Sequence, residues 1–123
     1  MHLIVEGNTP SQKNNKNIAF NKRTGRSFIV SNPRVVAWHK SARTQLLEQS
    51  EGNSIDPSHY PIAVTAIFYR ETRRKYDLDN AYGTVADALV HAGIIEDDNM
   101  DCIGTITLQH GGHDKENPRA DIS

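Results

Sequence analysis

The densest run of chemically capable residues is Asp77-Leu-Asp79-Asn80, followed further on by Asp97-Asp98. In an extended stretch, side chains two apart point the same way. Asp77 and Asp79 then share one side while Leu78 turns to the core. Two carboxylates held that close repel each other unless something stabilises the pair. A hard divalent cation does so, because Mg²⁺ takes carboxylate oxygens and keeps several of its waters. The competing reading is helix capping, with Asp79 as N-cap and Asp77 favoured by the helix dipole. Capping accounts for one aspartate better than for two, and these four residues leave both readings open.

Asp98 adds a constraint of reach. A helix from Asn80 to Ala92 is about 20 Å long at 1.5 Å per residue. The six residues from Gly93 to Asp98 span at most ~20 Å fully extended. Asp98 therefore returns beside Asp77 and Asp79 only if the chain runs back along the helix nearly straight. If that segment is coiled, a partner subunit has to complete the site.

A basic run, Arg70, Arg73, Arg74 and Lys75, ends two residues before the first aspartate. Such runs are usually solvated surface. Here the run abuts the carboxylates, and cations that hold phosphates beside acids that hold Mg²⁺ are the two parts of a phosphodiester-cleaving site. The whole chain shows the same division. Residues 1–75 carry 12 Lys/Arg against 5 Asp/Glu, whereas residues 76–123 carry 2 against 10, so the formal net charge of −1 conceals a basic half and an acidic half. Basic surface attracts polyanions. EF-hand loops fail at both acidic clusters, since Tyr82 or Cys102 stands where Gly is required and Ala88 or Leu108 where Glu is required. His110-Gly-Gly-His113-Asp114 reads as a loop tip, and His39 and His91 as helix-surface residues. P-loop, GxGxxG and GxSxG motifs are absent.

The elements that must position these residues follow from periodicity and punctuation. Leu3–Gly7 reads as a strand and 8–16 as a loop. Asn17–Asn21 and Arg26–Val30 form a hairpin whose turn places Gly25 at a position needing positive φ. Ser31-Asn32-Pro33 starts a helix, with Val35, Trp38, Ala42 and Leu46 on one face. Pro61–Tyr69 is apolar on both alternating sets and reads as a central strand. A second helix over Asn80–Ala92 turns Tyr82, Val85, Ala86 and Leu89 inward and stops at Gly93. Cys102–Gln109 is a strand, His110–Pro118 a loop, and Arg119–Ser123 a last strand pairing back. The fold class is α+β, with two helices packed on a mixed or antiparallel sheet.

The 123 residues make one domain, 1–123. No apolar run approaches the ~18 residues of a membrane span, and the chain enters a strand-like run at once, without a signal peptide. The lone cysteine, Cys102, excludes an intrachain disulfide and suits a reducing cytoplasm.

Together, Arg73-Arg-Lys-Tyr-Asp-Leu-Asp-Asn80, Asp87-Ala-Leu89, Ala92-Gly93 and Asp97-Asp98 resemble the RusA family of Holliday-junction resolvases. Ser11, Asn14-Asn15 and Gly25-Arg-Ser27 extend the resemblance over nearly the whole chain. It implies a homodimeric, Mg²⁺-dependent endonuclease, with Mn²⁺ as a possible substitute, that cuts four-way junctions in recombination and repair. Asp77, Asp79 and Asp98 would be the catalytic metal ligands. Asn14, Asn15, Lys16, Arg26, Arg73, Arg74 and Lys75 would hold the branched DNA. One position departs from the pattern: the family carries a catalytic lysine four residues after the second aspartate, and this chain has Gly83. The resemblance therefore leaves two readings, an active nuclease in which Lys75, Lys13 or Lys16 stands in, or a weak or inactive relative that still binds branched DNA.

Overall fold

The computed structural model describes residues 1–11 and 16–123. Four strands form the main sheet: β1 (Leu3–Glu6), β4 (Ile62–Arg70), β5 (Ile103–His113) and β6 (Arg119–Ile122), in the order β1-β6-β4-β5. β6 lies antiparallel to both β1 and β4, and β4 is parallel to β5. A separate antiparallel hairpin joins β2 (Lys16–Asn21) to β3 (Arg26–Ser31), with Gly25 at φ +69° in its turn. Two helices complete the chain, α1 (Pro33–Ser50) and α2 (Leu78–His91). The fold is the expected α+β arrangement on a mixed sheet, and the apolar run 62–70 is indeed an interior strand.

Asn32 caps α1, its side chain accepting from the Arg34 amide at 2.9 Å, and Pro33 occupies the first turn. The buried face of α1 is Val35, Trp38, Ala42 and Leu46, with Ser50 continuing the stripe. Trp38, Ala42 and Leu46 join Phe68, Val5 and Val85 in the core. The polar flank of α1 also serves the sheet. Gln45 and Gln49 lie one turn apart and bond the backbone of Glu6 and Ile4: each accepts from the strand amide at 2.7 Å and donates to the same residue's carbonyl at 3.3 and 2.6 Å. The free edge of β1 is thus closed by a helix, one of the ways natural sheets protect an edge.

β5, at the other edge, has no such cover. From Gly104 to Thr107 it is exposed, with Ile106 47% exposed, and the segment Ile103–Gln109 carries no charge.

Two boundaries beside the site differ from those the sequence predicts. α2 starts at Leu78, two residues earlier than Asn80, so Asp79 is helical and Asp77 is the cap. Its buried face is Ala81, Thr84, Val85, Ala86, Ala88 and Leu89, with Tyr82 only partly buried. β5 runs on through His113, turning the expected loop at His110 into strand. Gly111 makes this possible as the extra residue of a bulge. His110 pairs with Phe68 and Gly112 with Tyr69, and Gly112 takes φ +130°.

Candidate active site

Asp77 stands at the junction between the basic run and α2. Its backbone is extended (φ −96°, ψ 127°), and its carbonyl accepts the first helical bond, from the Ala81 amide at 3.1 Å. Its carboxylate makes no capping bond to the helix backbone. It accepts instead from the Asn80 side-chain amide, at 3.1 Å. Asp79, one step into the helix, is exposed, and Leu78 between them packs against the core. The capping reading therefore leaves both carboxylates unused by the backbone. Both are free to serve a cation while the positive end of the helix lowers their mutual repulsion.

The Asp97 carboxylate is consumed locally, accepting from the Asp98 amide at 2.7 Å and the Asn99 side chain at 3.1 Å. Asp98 lies next to it, and the two carboxyls interact. Burial first, and then the neighbouring Asp97 and Asp87 carboxyls, push the Asp98 pKa above the ordinary carboxylate value. The same charge, added to burial, raises the Tyr82 phenol.

Asp98 therefore lies within electrostatic reach of Tyr82 and Asp87 on α2. Among the described residues of a single chain, no three His, Cys, Asp or Glu side chains are placed to hold one metal ion. Of the two cases the reach argument left open, the structure of one chain matches the coiled return. The reach argument required a nearly straight return, whereas residues 93–101 are turns and bends whose Ile94 and Ile95 dip into the core.

The basic run lies where the sequence places it. Thr72, Arg73, Arg74, Lys75, Tyr76, Asp77 and Leu78 line one side of an open groove of about 640 Å³, and His110 and His113 complete it from β5. Among the described residues, Arg73, Arg74 and Lys75 are in no ion pair with a carboxylate; the pairs present are Arg119 with Asp114 and Asp121. Arg70 is not part of this wall. Its guanidinium bonds the Thr9 carbonyl and lies 4.2 Å from the centroid of the Tyr76 ring.

The start of the N-terminal loop is fastened to the same region. Asn8 accepts from the Glu71 amide at 3.1 Å, and the buried Thr84 hydroxyl donates to the Pro10 carbonyl at 2.8 Å. The loop thus leaves Ser11 next to the second turn of α2, where Gly83 stands half-buried. Asn14 and Asn15, with Lys13, lie outside the described residues, as does the side chain of Lys16. Arg26 is exposed at the start of β3, away from the groove lining.

The two histidines are what sequence reasoning missed. Tyr76 Oη and His110 Nδ1 are 2.6 Å apart, with the rings edge to face at 5.4 Å. His113 Nε2 donates to the Glu71 carbonyl at 3.1 Å. The signal was present as the spacing His110–His113, but the intervening Gly-Gly read as a turn rather than a bulge.

Comparison with known proteins gives this arrangement a class. A family model described as endodeoxyribonuclease RusA matches residues 9–123, and the chain belongs to that family. A more particular likeness is to the crossover junction endodeoxyribonuclease RusA of Aquifex aeolicus (strain VF5), 36% identical over 72 residues. That match covers 58% of this chain and 55% of the relative, so the chain spans about half the length of the curated protein it matches.

Proposed function

We propose that this protein is a divalent-metal-dependent endodeoxyribonuclease that resolves four-way DNA junctions as a homodimer, with Mg²⁺ as the metal and Mn²⁺ as a substitute. The observation that carries the reading is the shared groove: three cations, in no ion pair among the described residues, and Asp77 line one cleft. Arg73, Arg74 and Lys75 hold the phosphate backbone, with the N-terminal loop and Arg26 reaching the arms of the junction. Asp77 and Asp79 are two ligands on one helix end, and a bound cation supplies charge neutralisation at the scissile phosphate.

Asp98 is the third ligand and comes from the partner protomer, since within one chain no three such side chains among the described residues are placed to hold one metal ion. Two features support the dimer. The β5 edge is long, uncharged and uncovered, and such edges pair readily with another strand. A four-way junction, moreover, presents two symmetry-related strands, which a two-fold protein matches.

The test is cleavage of a labelled four-way junction in Mg²⁺, Mn²⁺ and EDTA. Metal-dependent paired nicks are expected, and no cleavage in any metal refutes nuclease activity. Mixing Asp77→Asn with Asp98→Asn chains tests the shared site. If the ligands come from different protomers, each heterodimer regains one intact site and nicks one strand. If both come from one chain, the mixture stays inactive. A second reading, a junction binder that does not cut, is favoured only by Gly83. It predicts tight metal-independent junction binding with no product.

A further inference from the structure

The wall opposite the basic run is built with more care than a solvated loop requires. His110 enters the groove from β5, where it pairs with Phe68 at the last step of the regular register, just before the Gly111 bulge. Its ring is then fixed by a chain of contacts. The Thr9 carbonyl holds the Arg70 guanidinium, that guanidinium lies 4.2 Å from the Tyr76 centroid, and the Tyr76 hydroxyl meets His110 Nδ1 at 2.6 Å. A phenol is a better donor than acceptor, so the Tyr76 O–H donates to Nδ1. That selects the tautomer with its proton on Nε2. The ring is left with one N–H donor, in a groove otherwise lined by the three cations of the basic run.

We propose that His110 is a phosphate-binding residue of this groove: its Nε2–H donates to a backbone phosphate of the DNA strand beside the one being cut, with Tyr76 as the positioning residue that fixes the ring. The proposal rests on the reading of the protein as a DNA-junction nuclease, and it names a contact that the basic run and the aspartates do not supply. A neutral donor differs from a cation in a measurable way. Each Lys or Arg that neutralises a phosphate releases counterions and steepens the salt dependence of binding, whereas a neutral hydrogen bond strengthens binding without altering that slope.

The experiment measures equilibrium binding of a four-way junction at pH 8 in Ca²⁺ over a range of salt, then steady-state cleavage in Mg²⁺. His110→Ala should weaken binding about tenfold, the worth of one hydrogen bond to a charged group. The slope of log K against log salt should not change, and the loss should appear in KM rather than kcat. His110→Gln, whose amide nitrogen reaches the position of Nε2, should restore most of the affinity. Tyr76→Phe, which frees the ring, should lose part of it. Arg73→Ala should lower the slope by about one unit. Thermal melting of each variant separates lost contact from lost fold. The inference is overturned if folded His110→Ala binds as tightly as wild type, if its loss comes with a reduced slope, or if it falls on kcat alone. Wild-type protein that neither binds nor cuts the junction overturns the nuclease reading and this inference together. Normal wild-type cleavage with an indifferent His110 overturns only the inference.

Discussion

Gly111→Ala is the sharpest structural test, because one methyl group meets a wall. A Cβ at Gly111 would lie 2.7 and 2.8 Å from Cε1 and Cζ of Tyr69 and 2.9 Å from Cγ2 of Ile67. The Tyr69 ring does not retreat freely. The Arg119 guanidinium lies 3.9 Å from its centroid and is itself held by Asp114 at 3.0 Å and Asp121 at 3.4 Å. The substitution must therefore open the bulge or push the ring and its ion pairs aside. Overpacking of this kind costs about 1–3 kcal/mol. At roughly 4 °C per kcal/mol for a domain of this size, the melting temperature should fall by about 4–12 °C. The clash also has a named partner, so a double-mutant cycle measures it. In a Tyr69→Ala background most of the Gly111→Ala penalty should disappear. Thermal melts decide the matter. A Gly111→Ala melt indistinguishable from wild type, or a penalty that persists in full without both the Tyr69 ring and the Ile67 Cγ2 methyl, would refute the close-packed bulge.

Other perturbations follow from the charges. Asp98→Asn should abolish junction cleavage yet leave the melting temperature at pH 7 equal to or above that of wild type. The native Asp98 pKa lies above its unfolded value, so the stability linked to its protonated form is present in acid and lost as pH rises. The stability difference should shrink toward pH 4, and a markedly destabilised variant at pH 7 would contradict this. His39 shows the opposite shift: burial first, and then His91 at 5.9 Å between ring centroids, lower its pKa, against a raising influence from Asp87. Native His39 takes up its proton at lower pH than the unfolded chain, which does so below about pH 6.5. Stability should therefore decline as pH falls through that value, and His39→Leu should flatten the decline in urea titrations from pH 8 to 5. Gly83→Lys tests the missing lysine. If no other cation stands in, it should raise the cleavage rate by about 10²–10³-fold. If Lys75 already serves, Lys75→Ala should instead abolish cutting with junction binding nearly intact, and a fast wild type indifferent to both changes would exclude either role.

The sequence by itself determined most of the local structure, for reasons that are local. Asn32-Pro33 and the stripe Val35, Trp38, Ala42, Leu46 specify α1, since capping and a 3.6-residue period act within a few residues. The doubly apolar run ending at Tyr69 marks an interior strand, and the acidic pair after the basic run marks the head of α2. Two neighbouring features of the site, the cations at 73–75 and Asp77, are adjacent in sequence and so were bound to share a place. Tertiary structure decided what depends on distant pairing. β6, the last strand, inserts between β1 and β4, which no local pattern specifies. His110 joins the groove because β5 goes on pairing with β4 as far as Arg70, its register shifted by one residue after Phe68, and Gly-Gly serves there as a bulge where the sequence alone reads a loop. The chain leading to Asp98 coils where it would otherwise have run straight, because Ile94 and Ile95 are buried in the core. Glycine permits several conformations and apolar residues accept several neighbours. Only the folded sheet, with its hydrogen bonds and its core filled, selects among them.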